Sequence, residues 1–283
     1  MIKTRSPTAV ARMVRALRML RHVPGWQRLA HRLVASDPLQ RFSVTNRGLR
    51  FEGDLESFID RQIFIFGGYE LDCIDQFIAL IPKNRRRTIL DIGSNVGTHA
   101  LAFSREFTRV EAFEPNPRVA AQLEHNLTLN PSAAVSCHKL GLGERDESLQ
   151  FYVTERANLG LGTFSDAEQY DVPLVPLESF PVVRGDDYLR KIDLGPIDAV
   201  KIDTQGFELE VMRGLAQTLE KNRPYVWFEV SPPSLEMLNM PPALHELLRF
   251  RHRLHRFATG RRSNLIEHRG PLICGDYVAI PTN

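Results

Sequence analysis

Thr88-Ile-Leu-Asp91-Ile-Gly93-Ser-Asn95-Val-Gly97-Thr-His99 is the stretch that decides the fold. A short apolar run ends in an acid, two glycines four apart follow, and then the pattern turns helical. It reads as a buried strand over Thr88–Ile92, a tight turn, and a helix through about Phe107. Gly93 can take the positive φ that such a turn often needs, and its missing side chain lets a ligand lie against backbone. The spacing is not the G-x-G-x-x-G dinucleotide fingerprint, because the third glycine is absent. That fingerprint offers bare N–H groups to a pyrophosphate. Here the turn carries Asp91 and Asn95 instead, and a carboxylate suits a cationic head such as an amino acid's ammonium. Taken alone, the motif is also compatible with a corner whose Asp merely caps the helix.

The next strand narrows the choice. Glu114 ends it, in Val110-Glu-Ala-Phe-Glu114-Pro115-Asn116-Pro117, 23 residues after Asp91. An acid at about that distance is where a Rossmann-type site grips ribose hydroxyls. Pro115 and Pro117 limit the turn and keep the Asn116 amide near the same place. Further strands are expected at Ala134–Leu140, Ile197–Ile202 and Tyr225–Val230, with helices at Pro117–Leu129, Glu208–Glu220 and Ala243–Arg249. Residues 141–195 read as irregular, with short strands at 149–153 and 180–183. Arg253–Ala258 and Tyr277–Ile280 read as a terminal antiparallel pair. Strands separated by helices imply an α/β protein with a mostly parallel sheet covered on both faces.

Asp91-Ile-Gly-Ser-Asn-Val-Gly97 and Phe113-Glu-Pro-Asn-Pro117 resemble motifs of class I S-adenosylmethionine-dependent methyltransferases, and of the FkbM family in particular. That family's later K-I-D-x-x-G-x-E stands here as Lys201-Ile-Asp203-Thr-Gln-Gly206-Phe-Glu208, followed by a strand ending in Trp227-Phe-Glu229. Gly68-Tyr69-Glu70 and Asn158-Leu-Gly160 also look family-like. Ser94 replaces the usual Ala, and Gln205 a residue that is often glutamate. The resemblance covers about residues 60–282. It implies a Rossmann-like fold with a seven-stranded sheet whose last strand inserts antiparallel. It also implies S-adenosylmethionine as cofactor, with Gly93, Asn95 and Gly97 around its methionine part and Asp91 near its amino group. Glu114 would take the ribose hydroxyls, Asn116 would support that contact, and Leu142 would border the adenine. Tyr69, Glu70 and Asn158 become candidate acceptor-binding residues, and O-methylation of a saccharide or other small molecule the expected reaction.

Methyl transfer to oxygen needs an aligned nucleophile and a place for its proton. Lys201 and Asp203 are two apart at a strand end, so they face one side. They are candidate catalytic groups, or a structural ion pair. Glu229 ends the following strand. Glu208 either meets substrate or holds the turn around Gly206. Asp203, Glu208 and Glu229 could converge on a divalent metal, yet no histidine stands in a metal-ligand pattern near them, and no metal ligand is assigned. A nicotinamide-dependent oxidoreductase is the rival enzyme reading, disfavoured by the glycine pattern. A non-catalytic, membrane-associated protein that keeps the cofactor fold is a third.

The whole chain sets the outer limits. It has 283 residues, 43% of them hydrophobic, with 25% charged and a net charge of +2. This excludes a disordered or fibrous chain, and the balance gives no whole-chain nucleic-acid footprint. No apolar run approaches a membrane-spanning length. Cys73, Cys137 and Cys274 form neither a disulfide framework nor a zinc pattern, which fits a cytoplasmic protein. The basic charge is uneven: residues 1–36 hold eight cations and no acid. Val10, Val14, Leu17 and Leu20 recur there at helical spacing, so a weak peripheral membrane contact competes with packing of Trp26, Leu29 and Leu33 on the body. Arg85-Arg86-Arg87 reads as a solvated turn. Three regions are expected: a basic, amphipathic extension over 1–40, a helical segment over 41–87, and the methyltransferase domain over 88–283.

Overall fold

The computed structural model describes residues 6–34, 41–154, 162–164, 174–239, 243–258 and 264–282. Helices α1 (Ala9–Ala16) and α2 (Trp26–Val34) precede a hairpin of β1 (Arg41–Asn46) and β2 (Leu49–Asp54), then α3 (Phe58–Phe66) and α4 (Leu71–Leu80). The core follows: β3 (Thr88–Ile92), α5 (Thr98–Phe103), β4 (Arg109–Phe113), α6 (Pro117–Thr128) and β5 (Val135–His138). Next come β6 (Gly141–Gly143), β7 (Glu147–Thr154), β8 (Gly162–Thr163), β9 (Leu174–Arg184) and α7 (Gly185–Ile192). The chain continues through β10 (Ile197–Ile202), α8 (Glu208–Gly214), α9 (Ala216–Asn222), β11 (Tyr225–Val230), α10 (Pro232–Asn239) and α11 (Ala243–Leu248). It closes with β12 (His252–Ala258), β13 (Asn264–Glu267) and β14 (Gly275–Pro281).

The main sheet has the order β13-β12-β14-β11-β10-β3-β4-β5. Strands β11, β10, β3, β4 and β5 run parallel, and β14 inserts antiparallel between β11 and β12. The expected terminal pair and the antiparallel last strand are both present. The sheet has eight strands rather than seven because β13 pairs antiparallel on the far edge of β12.

Every residue of β3 is buried, as a central strand covered on both faces requires. Its alternate residues serve two cores. Leu90 and Ile92 join Val200, Ile202 and Phe228 beneath α7, α8 and α9. Ile89 joins Ala199, Trp227, Ala112 and the inner residues of α4 and α5. Asp91 and Lys201, neighbours across β3 and β10, therefore point to the α4–α5 face. β3 has β4 on one side and β10 on the other, which makes it the topological switch point, where open α/β sheets bind ligands at their carboxyl ends.

Several sequence expectations change. Residues 41–87 are not simply helical, since β1 and β2 form a hairpin first. Its signal was the alternation Phe42, Val44 with the Arg47-Gly48 turn, both residues at positive φ. The hairpin packs into the body: Asn126 on α6 accepts from Glu52 N–H at 3.1 Å and Asn130, just after that helix, from Arg50 N–H at 2.9 Å, which covers an open strand edge. Among the described residues of 141–184, the strands expected at 149–153 and 180–183 lie within β7 and β9, and with β6 and β8 they form a second, four-stranded sheet, β6-β9-β7-β8, in place of an irregular stretch. The helix expected over 208–220 is two helices broken at Leu215. Arg87 is exposed, as a solvated turn allows, yet its side chain also makes a two-pronged clamp on buried Asp198, at 2.6 and 2.8 Å.

Candidate active site

One pocket opens beyond the ends of β3, β4 and β10, and Phe151 on β7 and Phe164 just after β8 also line it. Its wall runs without interruption from Gly93, Ser94, Asn95, Glu114, Pro115 and Leu142 to Tyr69, His99, Asp203 and Gln205. The pocket thus has two ends, one from each group of sequence candidates.

At the first end the backbone does most of the shaping. Gly93 and Ser94 N–H groups both donate to Phe113 O at 3.0 Å, which ties the β3 turn to the end of β4. Gly93 has φ +80°, and a Cβ there would sit 1.8 Å from the carbonyl oxygen of Asp203. The glycine is therefore needed for close approach of two strand-end loops, whatever ligand lies above it. Asn95 also stands at positive φ, an unusual place for a residue other than glycine. That turn aims its N–H at Glu114 Oε2, 3.0 Å away. Glu114 Oε1 accepts from Asn116 N–H at 2.9 Å. Burial pushes the Glu114 carboxyl up to about 7, while these two amides pull it back. Asn116 caps α6 through its oxygen, and its Nδ2 is buried with no hydrogen-bond partner among the described residues. Both carboxylate oxygens of fully buried Asp91 likewise have none, although Lys201 Nζ is 3.8 Å from one. Asp91 does not cap the helix. Leu142 is buried on β6 at the pocket wall.

The second end is electrostatic. Lys201, only 1% exposed, donates to Asp203 Oδ2 at 3.1 Å and lies over the Trp227 ring. Burial alone would lower the ammonium's pKa, but Asp203, Asp91 and Glu70 outweigh it and hold Lys201 above the usual lysine range. Burial works against the charge of Asp203 too, yet Lys201 and Gln205 hold that carboxyl below its ordinary value. Gln205 Nε2 donates to Asp203 Oδ1 at 2.8 Å and to Glu229 Oε2 at 2.9 Å. Burial, then the nearby Asp203 charge, pushes Glu229 up to about 9, so it is neutral near pH 7. Glu70 and Asp276 rise to about 7, chiefly by burial and then by neighbouring carboxylates. His99 Nε2 is 3.2 Å from Glu70 Oε2, and burial followed by Lys201 lowers its pKa to about 3. Lys201 and Asp203 thus form a largely buried ion pair, surrounded by further acids whose charged forms burial opposes.

Glu208 belongs elsewhere. It is fully buried and accepts from Thr204 N–H at 3.0 Å, Gly206 N–H at 2.9 Å and Thr204 Oγ1 at 3.1 Å. It braces the turn that carries Asp203 and Gln205 and meets no reacting group. Asn158 lies outside the described residues. Sequence reasoning missed Gln205, whose departure from the family pattern was its only signal. It also missed Asp276, which enters because β14 sets it opposite Glu229. His138 was missed as well: it stacks on the pocket residue Phe113 at 4.6 Å and bridges buried Glu111 to the Tyr188 hydroxyl. Among the described residues no three His, Cys, Asp or Glu side chains are grouped to hold a metal ion.

Residues 91–257 match the model of the methyltransferase FkbM domain. The chain belongs to the FkbM methyltransferase family. Methyltransferase 1 of Beauveria bassiana is 29% identical over 174 residues, 56% of this chain and 66% of that protein. The hexuronic acid methyltransferase AglP of Haloferax volcanii is 28% identical over 178 residues, 62% of this chain and 70% of the relative. The 2-O-methyltransferase NoeI of Sinorhizobium fredii is 28% identical over 185 residues, 59% and 72% of the two chains. A solved FkbM methyltransferase from Methylobacillus flagellatus superposes with a TM-score of 0.46 at 14% identity, over 77% of this chain and 52% of that one. That likeness is weak, and the fold of this FkbM protein rests on its strand order.

Proposed function

We propose that this FkbM methyltransferase uses S-adenosylmethionine to methylate a hydroxyl of a saccharide or similar polar small molecule. The observation that carries the reading is one shared pocket, with Glu114 at one end and Asp203, paired with Lys201, at the other. The residues fit the cofactor. Asp91 offers buried oxygens without hydrogen-bond partners to an ammonium, Asn116 offers a spare N–H donor, and Glu114 can accept from ribose hydroxyls. Gly93, Asn95 and Gly97 would follow its methionine part, and Leu142 would border its adenine. When bound, the cofactor supplies an electrophilic methyl group.

The protein's own task is to present and deprotonate the acceptor. Asp203 is charged, partly exposed at the pocket and oriented from two sides, so it can accept the proton of an incoming hydroxyl. Lys201 keeps it ionised and is a positioning residue. Glu229 is held protonated and Glu70 partly so, and with Tyr69 they would offer hydrogen bonds to a hydroxyl-rich acceptor. The Lys201 ammonium already fills the centre of this acidic shell, so turnover should survive a chelator. The relative named for hexuronic acid supports a saccharide acceptor, and the one named for 2-O methylation supports oxygen as the acceptor atom.

The test is transfer of tritium from methyl-labelled S-adenosylmethionine to a panel of neutral sugars, uronic acids and oligosaccharides. An alkali-stable methyl ether is expected. An alkali-labile ester, or label on nitrogen, would overturn the hydroxyl assignment.

A further inference from the structure

The N-terminal helices have two apolar faces, and the body uses only one. Ala11, Val14, Ala30 and Val34 are fully buried against Ile63 and Phe64 of α3. Arg15 ties the hairpin down further, donating to Phe64 O and lying 5.5 Å over the Phe64 ring. The competing sequence expectation is met only in part: Trp26 packs inward, but Leu29 is 49% exposed. Val10, Met13 and Leu17 share one face of α1 and all three are exposed. Met19, at 86%, and Val23 continue the exposure between the helices. Of the ten large exposed apolar side chains among the described residues, eight lie between Val10 and Leu33. The body of the protein, with far more surface, supplies the other two.

The charge these helices carry is of one sign, and Asp72, an acid of the body, is already paired with Arg21. Arg12, Arg18, Arg28 and Arg32 are exposed beside the apolar face, and residues 6–34 contain no acid. A second copy docking about a two-fold axis would set these arginines against their own equivalents, because such an interface meets itself. An anionic lipid surface meets both requirements, taking the apolar side chains into the headgroup boundary and pairing the guanidinium groups with phosphates. Among the described residues no helix is long and apolar enough to cross a membrane, so contact would be made from one side.

We infer that the outer face of the α1–α2 hairpin is a docking surface for anionic phospholipid, which holds the enzyme reversibly at a membrane. The test uses the full chain and co-sedimentation with vesicles of equal parts phosphatidylglycerol and phosphatidylcholine, or of phosphatidylcholine alone. At about 50 mM salt, binding to the anionic vesicles should exceed that to neutral ones at least tenfold, and most should be lost at about 500 mM. Arg18→Glu with Arg28→Glu should weaken it about tenfold or more. Met13→Gln with Met19→Gln should weaken it several-fold while leaving the melting temperature unchanged, since both side chains are solvent-facing. Equal binding to neutral vesicles, none at low salt, or full binding by the arginine variant would overturn the inference. So would a dimer in light scattering that the methionine variant dissolves, which would make a second copy the occupant.

Discussion

Glu114 is held by two backbone amides, Asn95 N–H and Asn116 N–H, whereas Asp203, across the same pocket, is held by two side chains, Lys201 and Gln205. The first arrangement follows from turn geometry, so it comes with the fold and depends on glycines and left-handed residues at fixed spacing. The second follows from a balance of buried charges brought together from β10, β11, β14 and the start of α4. Binding should therefore fail when backbone is disturbed at the cofactor end. Turnover should fail when charge is altered at the acceptor end.

Gly93→Ala should give the largest effect, because its Cβ would meet the Asp203 carbonyl oxygen at 1.8 Å at a φ of +80°. Strain and overpacking together should cost about 3 kcal/mol or more, read as a large drop in melting temperature. Since this contact joins the two ends, both binding and turnover should fall, and a stable, active variant would break the geometric account. Asp203→Asn should separate the ends most cleanly. Turnover should fall about 10²–10⁴-fold, while affinity for S-adenosylmethionine stays within about threefold. Equal losses in both would mean that Asp203 only supports the β3 turn.

Smaller effects come from removing an orienting group and from pH. Gln205→Leu leaves Lys201 on Asp203 but frees Asp203 Oδ1 and Glu229, so turnover should fall about tenfold. Single-turnover measurement should place that loss in the chemical step. In the cofactor-free protein, Glu70, Glu114, Glu208 and Asp276 lie near 7 and Glu229 near 9, all above the unfolded carboxyl value of about 4. Their protonated forms favour the folded state, so that stability is complete below about pH 4 and is lost as pH rises from there to about 7, and on to about 9 for Glu229. Asp203, with its lowered pKa, acts in the opposite direction and matters only on acidification. A scanning experiment should show the melting temperature falling about 3 °C or more from pH 6 to pH 9. A rise over that range would contradict the charge balance drawn here.

The same contrast explains what could be read from sequence. Asp91, Gly93, Asn95 and Glu114 lie in two short segments at spacings set by one strand–turn–helix unit, so the local order of residues carried their geometry. Lys201 and Asp203 were legible for a similar reason, two positions apart on one strand. Asp276 was not, because only the antiparallel register of β14 sets it opposite Glu229. Glu208 looked equally fit for substrate or for the turn, and only its bonds to Thr204 and Gly206 separate the two roles. The β1–β2 hairpin and most of the β6–β9 sheet went unread for a different reason, only the stretches 149–153 and 180–183 of β7 and β9 having been legible. β9 is interrupted by Pro176 and Pro181, and the hairpin is held to the body by partners far along the chain, Asn126 and Asn130.

The most direct test of the account is calorimetric titration of S-adenosylhomocysteine into the full chain and into Glu114→Ala. The wild-type protein should bind in the micromolar range. The variant, folded by circular dichroism, should bind roughly 5–100-fold more weakly through loss of a buried hydrogen-bonded contact. No binding by the wild type, or equal affinity in the two proteins, would contradict the central claim that this pocket holds the methyl donor by its ribose at Glu114.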